Sequence, residues 1–124
     1  MKLSQQQIIT AIRIVQASPH WKPGSVERHL SKRILRGHLP IGATVSDYAR
    51  VIQAVLTTDD AQIYLYWYNE SAYITVTAII NTQYWLVMFS LDGAMESAYV
   101  VENPERYLNK KEFERIGLLS EILT

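Results

Sequence analysis

QIYLYWYNESAYITVTAIINTQYWLVMFSLDGAMESAYVV, residues 62–101, decides the fold. Apolar and polar or aromatic side chains alternate through it with a period of two, as in half-buried strands. Asn69-Glu70-Ser71, Asn81–Gln83 and Leu91-Asp92-Gly93 interrupt the pattern, leaving strands over Gln62–Tyr68, Ala72–Ile80, Tyr84–Ser90 and Glu96–Val101. Connections this short join antiparallel neighbours, so a meander is the expected topology. Ile74, Val76, Ala78 and Ile80 share one side of the second strand; Tyr73, Thr75 and Thr77 share the other. Trp85 and Phe89 are expected in the core.

Upstream the period lengthens to that of a helix. Ile8, Ile12 and Val15 recur at helical spacing between a capping Ser4 and Pro19. After the loop PHWKPG, Ser25 is expected to cap SVERHLSKRIL, which runs into Gly37 and the rigid turn GHLPIG. In TVSDYARVIQAVL, Thr44 and Asp47 form a capping-box arrangement, and Val45, Tyr48, Val51, Ile52 and Val55 supply the buried side. Downstream, Glu102-Asn103-Pro104 begins a helical turn through Tyr107, and Lys111–Ile116 is expected to add another. The expectation is an α+β fold: N-terminal helices followed by a four-stranded antiparallel β-meander and short C-terminal helical turns. It is expected as a single domain, with a helical part (1–56), a sheet (62–101) and C-terminal turns and tail (102–124).

Composition narrows the chemistry. The chain has no cysteine, which excludes disulfides and thiolate chemistry. No HExxH, EF-hand or glycine-rich phosphate-loop spacing occurs, so no metal and no cofactor are expected. No apolar run approaches the length of a membrane span and no signal-peptide pattern opens the chain, so a soluble cytoplasmic protein is expected. The zero net charge conceals an asymmetry of +6 over residues 1–50 against −6 over 51–124. Such a dipole can steer a polyanion to one face. A solvated helix face, or pairing between the halves, is the alternative.

Three histidines and five Lys/Arg fall within Pro19–His38. His29, Lys32, Arg33 and Arg36 stand three and four apart and so share one helix face, opposite Val26, Leu30 and Ile34. His38 follows just beyond Gly37. A proton-transfer residue beside fixed cations suits a reaction at a phosphodiester. His29 can take a 2′-hydroxyl proton, its neighbours holding it neutral. His38 is a candidate for the acid that protonates the leaving 5′-oxygen. The fork of Arg33 suits non-bridging phosphate oxygens, and Lys32 and Arg36 extend it. Ser97 and Tyr99 point the same way on the fourth strand, and their hydroxyls with those of Thr75 and Thr77 can hold phosphate while a tyrosine ring stacks a base.

The segments HLSKR (His29, Lys32, Arg33) and ESAY (Ser97), with SDYARVIQAVL between them, resemble the barnase–EndoU–colicin E5/D–RelE group of small endoribonuclease toxins. Phage and polymorphic-toxin members are closest in layout. The resemblance covers roughly residues 20–102 and implies helices before an antiparallel sheet, metal-independent RNA cleavage, and a cognate immunity or antitoxin protein as partner. The chain departs from it in its neutral overall charge and in His38, which lacks a secure counterpart.

Two classes of function follow. One is an endoribonuclease toxin cleaving RNA by 2′-hydroxyl transesterification, with His29, Arg33, His38 and Ser97 catalytic and Lys32, Arg36, Tyr99, Thr75 and Thr77 binding substrate. The other is a non-enzymatic adaptor or inhibitor that meets a protein through an exposed aromatic sheet face. Convergence of His29 and Arg33 with Ser97 in one cleft would favour the first, and their pointing to open solvent on the far side of the helix would count against it.

Overall fold

A computed structural model describes residues 3–124. Three helices come first: α1 (Gln5–Ala17), α2 (Ser25–Leu35) and α3 (Val45–Leu56). Strands β1 (Gln62–Tyr68), β2 (Ser71–Ile80), β3 (Gln83–Ser90) and β4 (Met95–Val100) follow, then α4 (Pro104–Leu108), β5 (Phe113–Leu118) and α5 (Leu119–Leu123). The fold is α+β, with one antiparallel sheet in the order β4-β3-β2-β1-β5.

Local chemistry sets the helix ends. Reciprocal capping boxes start α1 (Ser4 with Gln7) and α3 (Thr44 with Asp47), each satisfying two backbone donors. Helix α2 starts otherwise than expected. Gly24, at φ +78°, occupies the cap position and Ser25 is the first helical residue, buried. Pro23-Gly24 makes the turn, closed by the Ser25 amide donating to the Lys22 carbonyl at 3.0 Å, and the helix starts without a side-chain cap.

Two hairpins are tighter than expected. Asn69-Glu70 and Asn81-Thr82 all have positive φ, so each turn takes two residues and matches the strands' twist. At the third turn Gly93 (φ +85°) is pressed against α1, where a β-carbon would sit 2.6 Å from Ile14 Cγ2.

The helices cover one sheet face. Ile12, Tyr48, Ile52, Val55, Ile63, Ile74, Val76, Trp85 and Phe89 are buried in the core between them, and Val26, Leu30 and Ile34 of α2 pack at its margin. Val45 is the exception to the expected α3 stripe, 41% exposed because it lies in the first turn, past the edge of the core. The Tyr48 hydroxyl donates to the Ala98 carbonyl at 2.5 Å, fastening α3 to β4.

Two expectations fail at the C-terminus. Residues 113–118 form β5, a fifth strand pairing with β1, rather than a helical turn. Phe113 and Ile116 mimic helical spacing, but the register shifts at Ile63/Tyr64 and leaves Ile116 without a partner in the pairing. Ile116 packs with the helix-side core and Phe113 on the other face, as strand alternation places residues three apart.

The far sheet face is only partly open. Leu86, Met88 and Val101 form a second core there, with Tyr66, Tyr73, Tyr84, Tyr99, Tyr107, Leu108 and Phe113 around it. Helix α4 and Phe113 therefore roof much of the aromatic face assigned to a protein partner. Thr75 and Thr77 are buried on this side, with Thr77 accepting from the Tyr84 hydroxyl at 2.9 Å. No helix among the described residues is long and apolar enough to cross a membrane.

Candidate anion-binding site

The strand β4 lies at a sheet edge, and α2 passes beside it. Gly37, at φ +74°, reverses the chain after α2, and the amides of His38 and Leu39 both donate to the Arg33 carbonyl, at 2.8 and 3.2 Å. Leu39 plugs into the core, so His38 is carried back to the strand edge. There its Nδ1 accepts the Val100 amide at 3.2 Å, satisfying a donor that an edge strand leaves unpaired. This bond requires a lone pair on Nδ1, so the ring is neutral and carries its proton on Nε2. Burial first, then Arg33 and Arg36, lower its pKa from the ordinary 6.5 and favour that same form; Glu102 opposes them.

Arg33 is the unusual residue. It is only 5% exposed, yet its Nε has no hydrogen-bond partner. Among the described residues the one ion pair within 4.0 Å is Asp47–Arg50, at 3.6 Å on the surface, so no carboxylate neutralises Arg33. Its guanidinium lies 5.6 Å from the centre of the Tyr99 ring, a cation–π contact that offsets part of the loss of water. Burial lowers its pKa, Tyr48 and Tyr99 act to raise it, and Arg36 adds repulsion. A buried cation without a counter-ion costs stability, and an anion held against it recovers that loss.

Arg33 lines a cavity of about 870 Å³. Lys32, Arg36 and His38 join it from the α2 side, Ser97 and Tyr99 from β4, and Arg106, Tyr107 and Lys110 from the C-terminal segment. Five Lys/Arg side chains therefore border one space, against the single carboxylate of Glu102. Lys110 Nζ stands 4.4 Å from the centre of the Tyr107 ring, so a second tyrosine also carries a cation.

Lys32, Arg33, Arg36, His38, Ser97 and Tyr99, all expected from sequence, thus share one cavity. His29, Thr75 and Thr77 do not line it. His29 lies against Trp21, ring centres 4.8 Å apart, and its pKa is lowered by burial and then by Arg33, Lys32 and Arg28, while Glu96 opposes. Sequence reasoning missed Arg106, Lys110, Tyr107 and Glu102. The available signal was the four-residue spacing of Arg106 and Lys110 around Tyr107 in ENPERYLNKK, beginning with the Asn103 cap. Among the described residues no group of three His, Asp or Glu is placed to hold a metal ion.

The cavity offers a phosphodiester several fixed positive charges, an imidazole N–H, a serine hydroxyl and one proton acceptor. Comparison with protein-family models, with curated proteins and with solved structures finds no match, which leaves the cavity's own chemistry to indicate function.

Proposed function

We propose that this protein is a metal-independent endoribonuclease whose cavity holds the scissile phosphodiester on Arg33. The buried guanidinium without a counter-ion carries the reading, because a site so built favours added negative charge. In transesterification the 2′-oxygen attacks phosphorus, the bond to the 5′-oxygen breaks, and the phosphorane between carries an extra negative charge. Arg33, Arg36 and Lys32 stabilise that charge through preorganised electrostatics. His38 donates Nε2–H and Ser97 its hydroxyl to non-bridging oxygens. The proton acceptor assigned to His29 from sequence passes to Glu102, the carboxylate on the cavity wall. Glu102 takes the 2′-hydroxyl proton, and the leaving 5′-oxygen takes a proton from water. The products are a 2′,3′-cyclic phosphate and a 5′-hydroxyl.

The resemblance of this layout, a basic helix opposite a serine-bearing strand, to the small endoribonuclease toxins extends the proposal to a cytoplasmic toxin. Its antitoxin or immunity partner would present carboxylates to the cation cavity.

Incubation of the purified protein with total RNA, with EDTA or with magnesium, tests the activity. Cleavage should proceed in EDTA and leave cyclic phosphate ends. Arg33→Gln should slow it about a hundredfold or more, as should Glu102→Gln, while His29→Ala stays within a few fold. Cleavage lost in EDTA and restored by magnesium rejects the mechanism. Wild-type rates in Arg33→Gln reject the site.

A further inference from the structure

A second cleft, of about 390 Å³, adjoins the cation cavity and shares Tyr99 and Tyr107 with it. Tyr66, Tyr68 and Tyr73 complete a lining of five tyrosines, and Glu96 contributes a carboxylate. We propose that this cleft is a nucleobase subsite for the RNA whose phosphate occupies the cation cavity, and that Glu96 makes it select bases bearing an exocyclic amino group. The inference rests on the anion reading of the neighbouring cavity.

The two clefts have complementary chemistries, one cationic and one aromatic, on either side of a common wall. Tyr99 and Tyr107 meet edge to face at 6.1 Å and 82°, with their hydroxyls hydrogen-bonded to each other. Phe113 backs the wall, 5.7 Å from Tyr107 and 4.9 Å from Tyr66. A nucleotide carries an anionic phosphate and a flat π-system within one unit, so a single strand fills both clefts at once. Aromatic rings beside a cationic groove are the usual means of holding unpaired bases.

Glu96 reaches the cleft through an irregularity in the sheet. Pairing of β3 with β4 runs Met88↔Ser97 and then Phe89↔Met95, so Glu96 is the residue that the register shift leaves out. Such a bulge re-aims a side chain. A carboxylate beside a polyanion site repels backbone phosphate, and an ionised carboxylate is a hydrogen-bond acceptor only. It is matched by an amino group on a base edge, as on cytosine, and opposed by the carbonyl that uracil presents at the same position.

The test uses fluorescence anisotropy with labelled 2′-O-methyl hexamers, which bind but lack the attacking hydroxyl: all-cytosine, all-uracil and abasic. The cytosine hexamer should bind about tenfold tighter than uracil, the scale of one charge-assisted hydrogen bond, with the abasic strand weakest. Glu96→Gln should raise all affinities by removing a negative charge and reduce the cytosine-to-uracil ratio to about two or less. Tyr68 is exposed at the end of β1, so Tyr68→Ala should fold normally. It should weaken the cytosine hexamer about fivefold or more without changing the abasic one. Equal binding of all three strands, still dependent on Arg33, overturns the subsite and leaves the anion cavity standing. Failure of every strand to bind removes both. Should Tyr68→Ala instead dissociate a dimer in sedimentation velocity and leave RNA binding unchanged, the cleft belongs to a second copy of the chain.

Discussion

The two faces of the sheet are built from the same five strands and treat polar groups in opposite ways. On the helix side, Ile52, Ile74, Val76, Trp85 and Phe89 pack in an apolar interior, where the Tyr48 hydroxyl has its partner in the Ala98 carbonyl. On the other side, tyrosines surround a small core of Leu86, Met88 and Val101, Thr75 Oγ1 is buried without a partner, and Arg33 lies beside Tyr99. Stability is concentrated on the first face. Unsatisfied polarity, which natural proteins retain where it serves binding, is concentrated at the second.

The largest effect should come from the helix side. Trp85→Ala removes a side chain that is 1% exposed and should cost about 3–5 kcal/mol in urea denaturation. A loss under about 1 kcal/mol would mean that the first face is not the stabilising one.

Arg33→Met should do the reverse. It replaces a buried cation without a counter-ion by an apolar chain of similar length and should raise stability by about 1–3 kcal/mol while RNA binding falls. A destabilised Arg33→Met protein would mean that the guanidinium is structurally satisfied, and the contrast between the faces would break.

A smaller effect separates two neighbouring threonines. Thr75→Val deletes an unpartnered hydroxyl and should stabilise by about 1 kcal/mol, whereas Thr77→Val strands the Tyr84 hydroxyl and should destabilise by about as much. Equal and opposite shifts in denaturation midpoint would sharpen the comparison; the same sign for both would undo it.

The smallest effect is a pH dependence. His38 has its folded pKa below the ordinary 6.5, chiefly through burial and then Arg33 and Arg36. As pH falls below 6.5 the unfolded chain takes up the proton first. The contribution of His38 is therefore complete above that value and declines until the lowered pKa is passed. His29, shifted in the same direction, adds to the decline. Stability should drop as pH falls below about 6.5, and His38→Gln, which keeps an acceptor for the Val100 amide, should flatten the drop. An unchanged pH profile in that variant would remove His38 from the account.

Local chemistry was legible in the chain. Ser4 caps α1 and Thr44 with Asp47 caps α3, as read from the chain, and the alternation from Gln62 to Val101 produces four strands in sequence order. These are interactions between residues a few positions apart, and a period suffices to read them. The spacing of Lys32, Arg33 and Arg36 likewise placed three cations on one helix flank, and they do border one cavity.

Long-range packing decided the rest. Residues 113–118 became a strand because β1 had a free edge, although the Phe113–Ile116 spacing reads as helical. Thr75 and Thr77 are buried on the sheet face where the second apolar cluster packs, which alternation within β2 does not encode. His29 and Arg33 occupy one helix face one turn apart, yet Arg33 borders the cavity while His29 rests on Trp21. Arg106 and Lys110 joined the α2 cations from about seventy positions downstream. The sequence by itself determined the elements and the charge on each, because capping and periodicity are local. Which charges share a cavity, and which of them is buried there, was decided only by tertiary packing, because desolvation depends on every neighbour in space.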